Sequence, residues 1–222
     1  MTDSNSYPTG AMPQLMTLPL TRQAVQTARQ FSCEQPNPEK AEQVYLNTLA
    51  VWVANDYLQL MAIPTQLQDS DSWNPIVRLC ADVADLSLPG LGRLECRPLV
   101  CGHEGRWASD PSNRPSQLTV PPEVQTDRLG YLAIAIDESR LMATLLGFTP
   151  TLVAGTISLD RLQSLDAFLA HLDALAHAQV VREPVPLSRW LQGAFSDGWQ
   201  DIDSMLAPNQ PAGGDRPSPN IP

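Results

Sequence analysis

The sequence predicts an α+β fold: an antiparallel sheet of about four strands packed on helices, followed by a C-terminal amphipathic aromatic helix and a disordered tail. Three observations predict it. Apolar residues recur at a period near 3.6 between Leu20 and Ile63, the period falls to 2 past residue 80, and it returns to 3.6 beyond Asp160. Helices, then a meander of strands, then helices again describe a layered α+β protein. A chain of 222 residues makes one domain, or one domain with an appendage, and can bury a core without disulfide or metal support.

Residues 1–17 hold Ser, Thr, Pro, Gly and Met without periodicity and read as a flexible lead-in, so order is expected to begin near Leu20. The domain then spans 18–180. Thr21 is placed to cap a first helix that ends near Cys33, with Leu20 and Val25 as a hydrophobic staple. Asn37 caps a second helix whose first position is Pro38, and Pro64 stops it. Leu46, Leu49, Ala50, Val53, Tyr57, Leu60 and Met61 form one apolar face of that helix, and Val44, Val51, Ala54 and Leu58 cover another. A helix apolar on two sides is buried on two sides, here between a sheet and a helix.

"DVADLSLP" and "GRLECRPLV" read as two strands joined by a hairpin at "PGLG". Residues 102–118 read as a polar loop. Tyr131–Ser139 and Met142–Leu152 make a third and a fourth strand. Asp160, with Gln163 three residues later, has the form of a capping box. The helix it opens would bury Leu162, Leu165, Phe168, Leu169, Leu172 and Leu175.

Residues 181–206 are a Pro linker and a second amphipathic element. Leu187, Trp190, Leu191, Ala194, Phe195, Gly198, Trp199, Ile202, Met205 and Leu206 share one face at 3.6 residues per turn. Its two Trp side chains alone could remove roughly 400 Å² from water, on the order of 10 kcal/mol before opposing costs. Gly193 and Gly198 each weaken the free helix by about 1 kcal/mol, so it forms against something. That something is either its own domain or a groove on another protein. Trp190, Leu191, Phe195, Trp199 and Ile202 are the candidate partner-binding residues. Residues 207–222, with five Pro and two Gly, read as a disordered tail.

Charge and composition exclude several classes. Fourteen basic against twenty-four acidic residues give a net charge of −10, which repels phosphate and disfavours nucleic acid and anionic membranes; it suits a basic protein partner. The first twenty residues lack the form of a signal peptide, and no apolar run approaches the roughly 20 residues of a membrane helix. A cytoplasmic protein with four reduced cysteines is expected.

Reactive chemistry is sparse. There is no phosphate loop, no G-x-S-x-G elbow and no H-E-x-x-H pattern. His171 and His177 read as solvated or helix-end residues. Cys96, Cys101 and His103 place soft ligands close together but lack a fourth ligand, and "DSDSWNP" departs from a calcium loop at its Gly and Glu positions. Asp69 or Ser72 is a better candidate to cap a short helix carrying Trp73. No metal, cofactor or catalytic residue is assigned, and an enzyme is not the expected class. Asn47 and Asn55 interrupt the buried helix and need hydrogen-bond partners, at a cost of roughly 1–3 kcal/mol if they find none.

Seven stretches in order, "AEQVYLNTLAVWVANDYLQLMAI", "DSDSWNP", "DLSLPGLGRLECRPL", "PPEVQTDRLGYLAIAID", "TLLGFTP", "LDRLQSLDAFLAHL" and "RWLQGAFSDGWQ", resemble the cyanobacterial family called domain of unknown function 1822. The resemblance runs from about residue 20 to 206. It implies a cyanobacterial source and a regulatory setting near sigma factors, and it carries no catalytic residue. Two functions follow as expectations. The first is a non-enzymatic interaction or regulatory module acting on a sigma factor or other basic partner through its aromatic helix. The alternative is a small-ligand or metal-binding domain with a pocket between sheet and central helix, using Asn47, Asn55 or the Cys96–His103 cluster.

Overall fold

Two helix starts follow from their caps. In the computed structural model, which describes residues 15–100 and 115–182, Thr21 Oγ1 accepts the Ala24 amide at 3.1 Å and opens α1, Arg22–Cys33. Asn37 Oδ1 accepts the Lys40 amide at 2.8 Å and opens α2, Pro38–Leu60, with Pro38 in its first turn. Between them α1 and α2 bury Ala24, Ala28, Leu49, Ala50, Val53 and Ala54. These small and medium side chains let the helices approach one another and the sheet. Leu60 and Met61, expected on the buried face, are instead exposed, because α2 ends at Leu60 and the chain turns away through Ala62 at φ 57°.

The main sheet has five strands, not four: β1 (Met16–Pro19), β2 (Asp85–Leu88), β3 (Gly92–Val100), β5 (Gly130–Asp137) and β6 (Met142–Thr149), in the order β1-β6-β5-β3-β2. It is also mixed. β2–β3, β5–β6 and β1–β6 pair antiparallel, but β3 and β5 run parallel from Leu94↔Gly130 to Val100↔Ile136. A meander would have joined them as a hairpin; the 29 residues from Cys101 to Leu129 instead return the chain to the same end of the sheet. β1 begins at Met16, inside the segment read as a lead-in, and Leu20 donates to the Leu141 carbonyl at 2.8 Å beyond it. A further pair, β4 (Gln117–Thr119) and β7 (Thr156–Ser158), forms a small second sheet, and β4 begins inside the stretch read as a polar loop.

β6 carries a bulge opposite Ala133/Ile134. It lets Ala143, Leu145 and Phe148 all join the core on one face, a spacing that strict alternation forbids. Gly147 sits at the bulge with φ 143°, and a Cβ there would lie 2.5 Å from the Gln163 carbonyl. Phe148 and Gln163 exchange both backbone hydrogen bonds at that point, 2.7 and 3.0 Å. Gln163 is therefore tied to the sheet. Ser164, not Asp160, starts the last helix, α4 (Leu165–Arg182), by accepting the Ala167 amide on its hydroxyl at 3.2 Å. Asp160 lies in a 3-10 turn, Leu159–Arg161. Leu165, Phe168 and Leu172 are buried as expected, with Phe168 against Phe148 at 4.8 Å between ring centres.

The two faces of the sheet differ. Leu86, Leu88, Leu94, Cys96, Leu132, Ile134, Ile136, Ala143, Leu145 and Phe148 meet α2 and α4 in one core. Leu99, Tyr131, Ala133, Val120, Val124, Ile157 and Leu159 form a smaller core on the opposite face, under β4, β7 and the 122–124 turn. The chain divides into two compact units, Met1–Ala178 and Gln179–Pro222, and the described part of the second is the end of α4.

Candidate functional site

Trp190, Leu191, Phe195, Trp199 and Ile202 lie outside the described residues, as do Cys101 and His103. The other residues singled out in the sequence are placed. Asn47 is buried, and its Nδ2 donates to Asp82 Oδ1 at 2.8 Å and to the Val83 carbonyl at 3.1 Å. Asn55, two turns on, accepts from Thr65 Oγ1 at 2.7 Å and from Gln59 Nε2 at 3.3 Å. The two amides thus hold different loops against α2. The space between α2 and the sheet is occupied by Leu49, Val53, Leu58, Leu86, Leu94 and Leu132, all buried. Cys96 is fully buried, and burial, together with the nearby Glu95 and Asp85, pushes its thiol well above the usual range. Such a thiol is inert.

His171 is half-buried. One ring nitrogen meets the Leu129 carbonyl at 3.1 Å and the ring lies 5.2 Å from Phe148, so it is a packing residue and not a solvated one. His177 is exposed. In the 69–75 stretch, Trp73 lies in a 3-10 turn, Asp71–Trp73, against Phe31 and Trp52. Neither Asp69 nor Ser72 caps a helix. Asn74 does, accepting the Ile76 amide at 3.0 Å at the start of α3, Pro75–Cys80. Among the described residues no three His, Cys, Asp or Glu side chains are grouped to hold a metal ion, and no helix is long and apolar enough to cross a membrane.

The densest chemistry in the described body was not singled out by its sequence. The β2–β3 register sets Asp85 directly opposite Glu95, and both side chains are fully buried on the face away from α2. Two bare carboxylates side by side in a dry interior would repel, so each must be neutralised by neighbours or by a proton. Glu95 accepts the Ala84 amide at 3.0 Å, Arg97 Nη1 at 3.3 Å and Arg128 Nε at 3.2 Å. Burial nevertheless dominates the two guanidinium groups and pushes its carboxyl up to about 7.

Asp85 accepts the Ser72 amide at 2.7 Å and the Asp71 amide at 3.1 Å, lies 3.4 Å from Arg93 Nη1, and is likewise raised by burial. Arg97 forms a two-pronged pair with Asp82, Nη1–Oδ1 3.0 Å and Nη2–Oδ2 2.9 Å. At Asp82 burial acts upward, but the hydrogen bonds and charge of Arg97 overcome it and hold the carboxyl below its ordinary value. Arg93 completes the set with an ion pair to Asp71.

Each carboxylate of this cluster ties the β2–β3 hairpin to another segment: Asp85 to 71–72, Glu95 to Arg128, and Arg97 through Asp82 to Asn47 of α2. Every group is engaged by a neighbour, which makes the cluster a clamp. A signal for it was present in the sequence. The "PGLG" hairpin sets the register, and the register puts two acids opposite each other, which is unfavourable unless basic groups cover them.

A family model described as "Protein of unknown function (DUF1822)" matches residues 18–216. No curated protein and no solved structure matches. The matched span takes in the five-stranded sheet after β1's first two residues, helices α1 to α4 and the aromatic segment beyond them. The chain belongs to the DUF1822 family.

Proposed function

We propose that the chain is a non-enzymatic, regulatory interaction module that engages another protein through the apolar face of residues 187–206. Trp190, Leu191, Phe195, Trp199 and Ile202 are its anchors, because large aromatic side chains dominate interface energies. The observation that carries this reading is the extent of the family match. It continues to residue 216, so the aromatic segment belongs to the family's common sequence and is not an appendage of this chain. The body supports the reading as a scaffold: Asn47, Asn55 and the charged cluster hold its segments to one another. A net charge of −10 suits a basic partner, of which a cytoplasmic sigma factor is one instance.

The test replaces Trp190, Phe195 and Trp199 together by Ala in the full chain. The expected result is loss of partner capture from native lysate, with a thermal melt that stays cooperative and within a few degrees of the parent. A variant that no longer melts cooperatively would place the three rings in the chain's own core, and undiminished capture would remove them from the interface; either result defeats the proposal.

A further inference from the structure

A groove of about 360 Å³ lies beside the first half of α1, lined by Leu20, Arg22, Val25, Gln26, Arg29 and Leu141. Its lining includes two arginines and no carboxylate, on a protein of net charge −10. Neither Arg22 nor Arg29 makes an ion pair among the described residues, whereas Arg78, Arg93, Arg97, Arg128 and Arg140 all do. Tyr45 lies against both Arg29 and Glu138, and the Asp137–Arg140 pair belongs to the same turn as Leu141.

The fold does not account for Arg22 or Leu141. Arg22 stands in the first turn of α1, where no acidic residue offsets it and where a cation opposes the helix dipole. Leu141 is the left-handed residue of the β5–β6 turn, φ 53°, a position that favours Gly or Asn, and it is 54% exposed. A large apolar side chain is thus held open to solvent at an unfavourable backbone angle, in a groove that Arg22 and Arg29 also line.

We infer that this groove binds an acidic peptide segment of another protein, in which two carboxylates flank apolar side chains. Arg22 and Arg29 are seven residues apart, about 10 Å along the helix. Acidic residues three apart in a polyproline II segment share one side of the chain and are separated by about 9 Å, close to that spacing. The apolar residues between them meet Leu20, Val25 and Leu141, and Gln26 offers a hydrogen-bonding amide to the peptide backbone. None of its lining residues belongs to the aromatic segment, and it selects the opposite charge.

The test uses the full chain and end-capped, fluorescein-labelled peptides of the form Glu-x-x-Glu, with x Leu, Val or Phe, read by fluorescence anisotropy. Binding is expected to weaken about tenfold in R22A/R29A, as removal of two partly exposed charge pairs implies. It is expected to weaken similarly in the matching Gln-x-x-Gln peptides, and to fall as salt rises. The W190A/F195A/W199A chain should bind the peptides as the parent does, which separates this site from the aromatic segment. Absence of binding, equal binding by R22A/R29A, or displacement of the peptide by inorganic phosphate at the peptide's own concentration would each overturn the inference. Loss of binding in the tryptophan variant would do so as well.

Discussion

The two faces of the sheet are built on different physics. On the α2 side Leu86, Leu94, Leu132, Ile134 and Leu145 exclude water by volume, and no ion pair ties them together. On the other side β2 and β3 carry Asp85, Glu95 and Arg97, and beside the smaller apolar core that part of the face is ordered by partnered charge. Apolar packing is non-directional and tolerates changes of shape at constant volume. A buried charged cluster tolerates its own intact set of partners, but removal of one member leaves another charge dry and unpaired. One sheet therefore has a forgiving face and an exacting one.

The largest effect should come from breaking the exacting face at its hub. Arg97 holds both Asp82 and Glu95, so Arg97→Ala is expected to cost about 3–5 kcal/mol, measured by urea unfolding. Arg97→Met keeps most of the side-chain volume and should recover little of that loss. If Met restores stability, Arg97 acts by packing, and the contrast between the faces disappears.

How far this contrast could be read beforehand depends on what each element requires locally. α1 and α2 were legible because their caps, Thr21 and Asn37, and their apolar stripes are local features. The hairpin was legible from its turn. The parallel pairing of β3 with β5 was not, since nothing in either strand specifies which neighbour a long connection will deliver. β1, β4 and β7 are three or four residues long, too short for alternation to register. The charged face was hidden for a different reason. In "DLSLPGLGRLECR" polar and apolar residues alternate, which is what a solvent-facing sheet also shows. Only the segments 71–82 and 122–128, folding over that face, convert the polar positions into a buried cluster.

A second expected effect is in pH, and two carboxyls of the charged cluster should act in opposite directions. Glu95 has a folded value near 7, above its ordinary 4.5, so the folded state holds this proton more tightly than the unfolded chain. That contribution is fully present below about pH 4.5 and is lost as pH rises through about 7, on the order of 3 kcal/mol. Asp82 runs the other way. Its folded value is depressed, so its contribution is present above its ordinary 3.8 and is lost as pH falls through the folded value. Stability should therefore be greatest in mildly acid solution and decline toward neutrality. Glu95→Gln should flatten the decline between pH 4.5 and 7 in a series of thermal melts. A slope unchanged in that variant would assign the pH dependence to another group.

The smallest effect tests the forgiving face. Leu132 is fully buried toward α2, on the same strand that offers Tyr131 and Ala133 to the opposite core. Leu132→Met keeps volume and polarity nearly constant, and the flexible thioether can follow the existing cavity. The expected loss is under about 1.5 kcal/mol by urea unfolding, with the slope of the transition unchanged. A loss as large as that of Arg97→Ala would mean that the α2 face is specified as tightly by shape as the other is by charge. The apolar side would then owe its tolerance to nothing in its chemistry, and the two faces would differ only in which side chains they use.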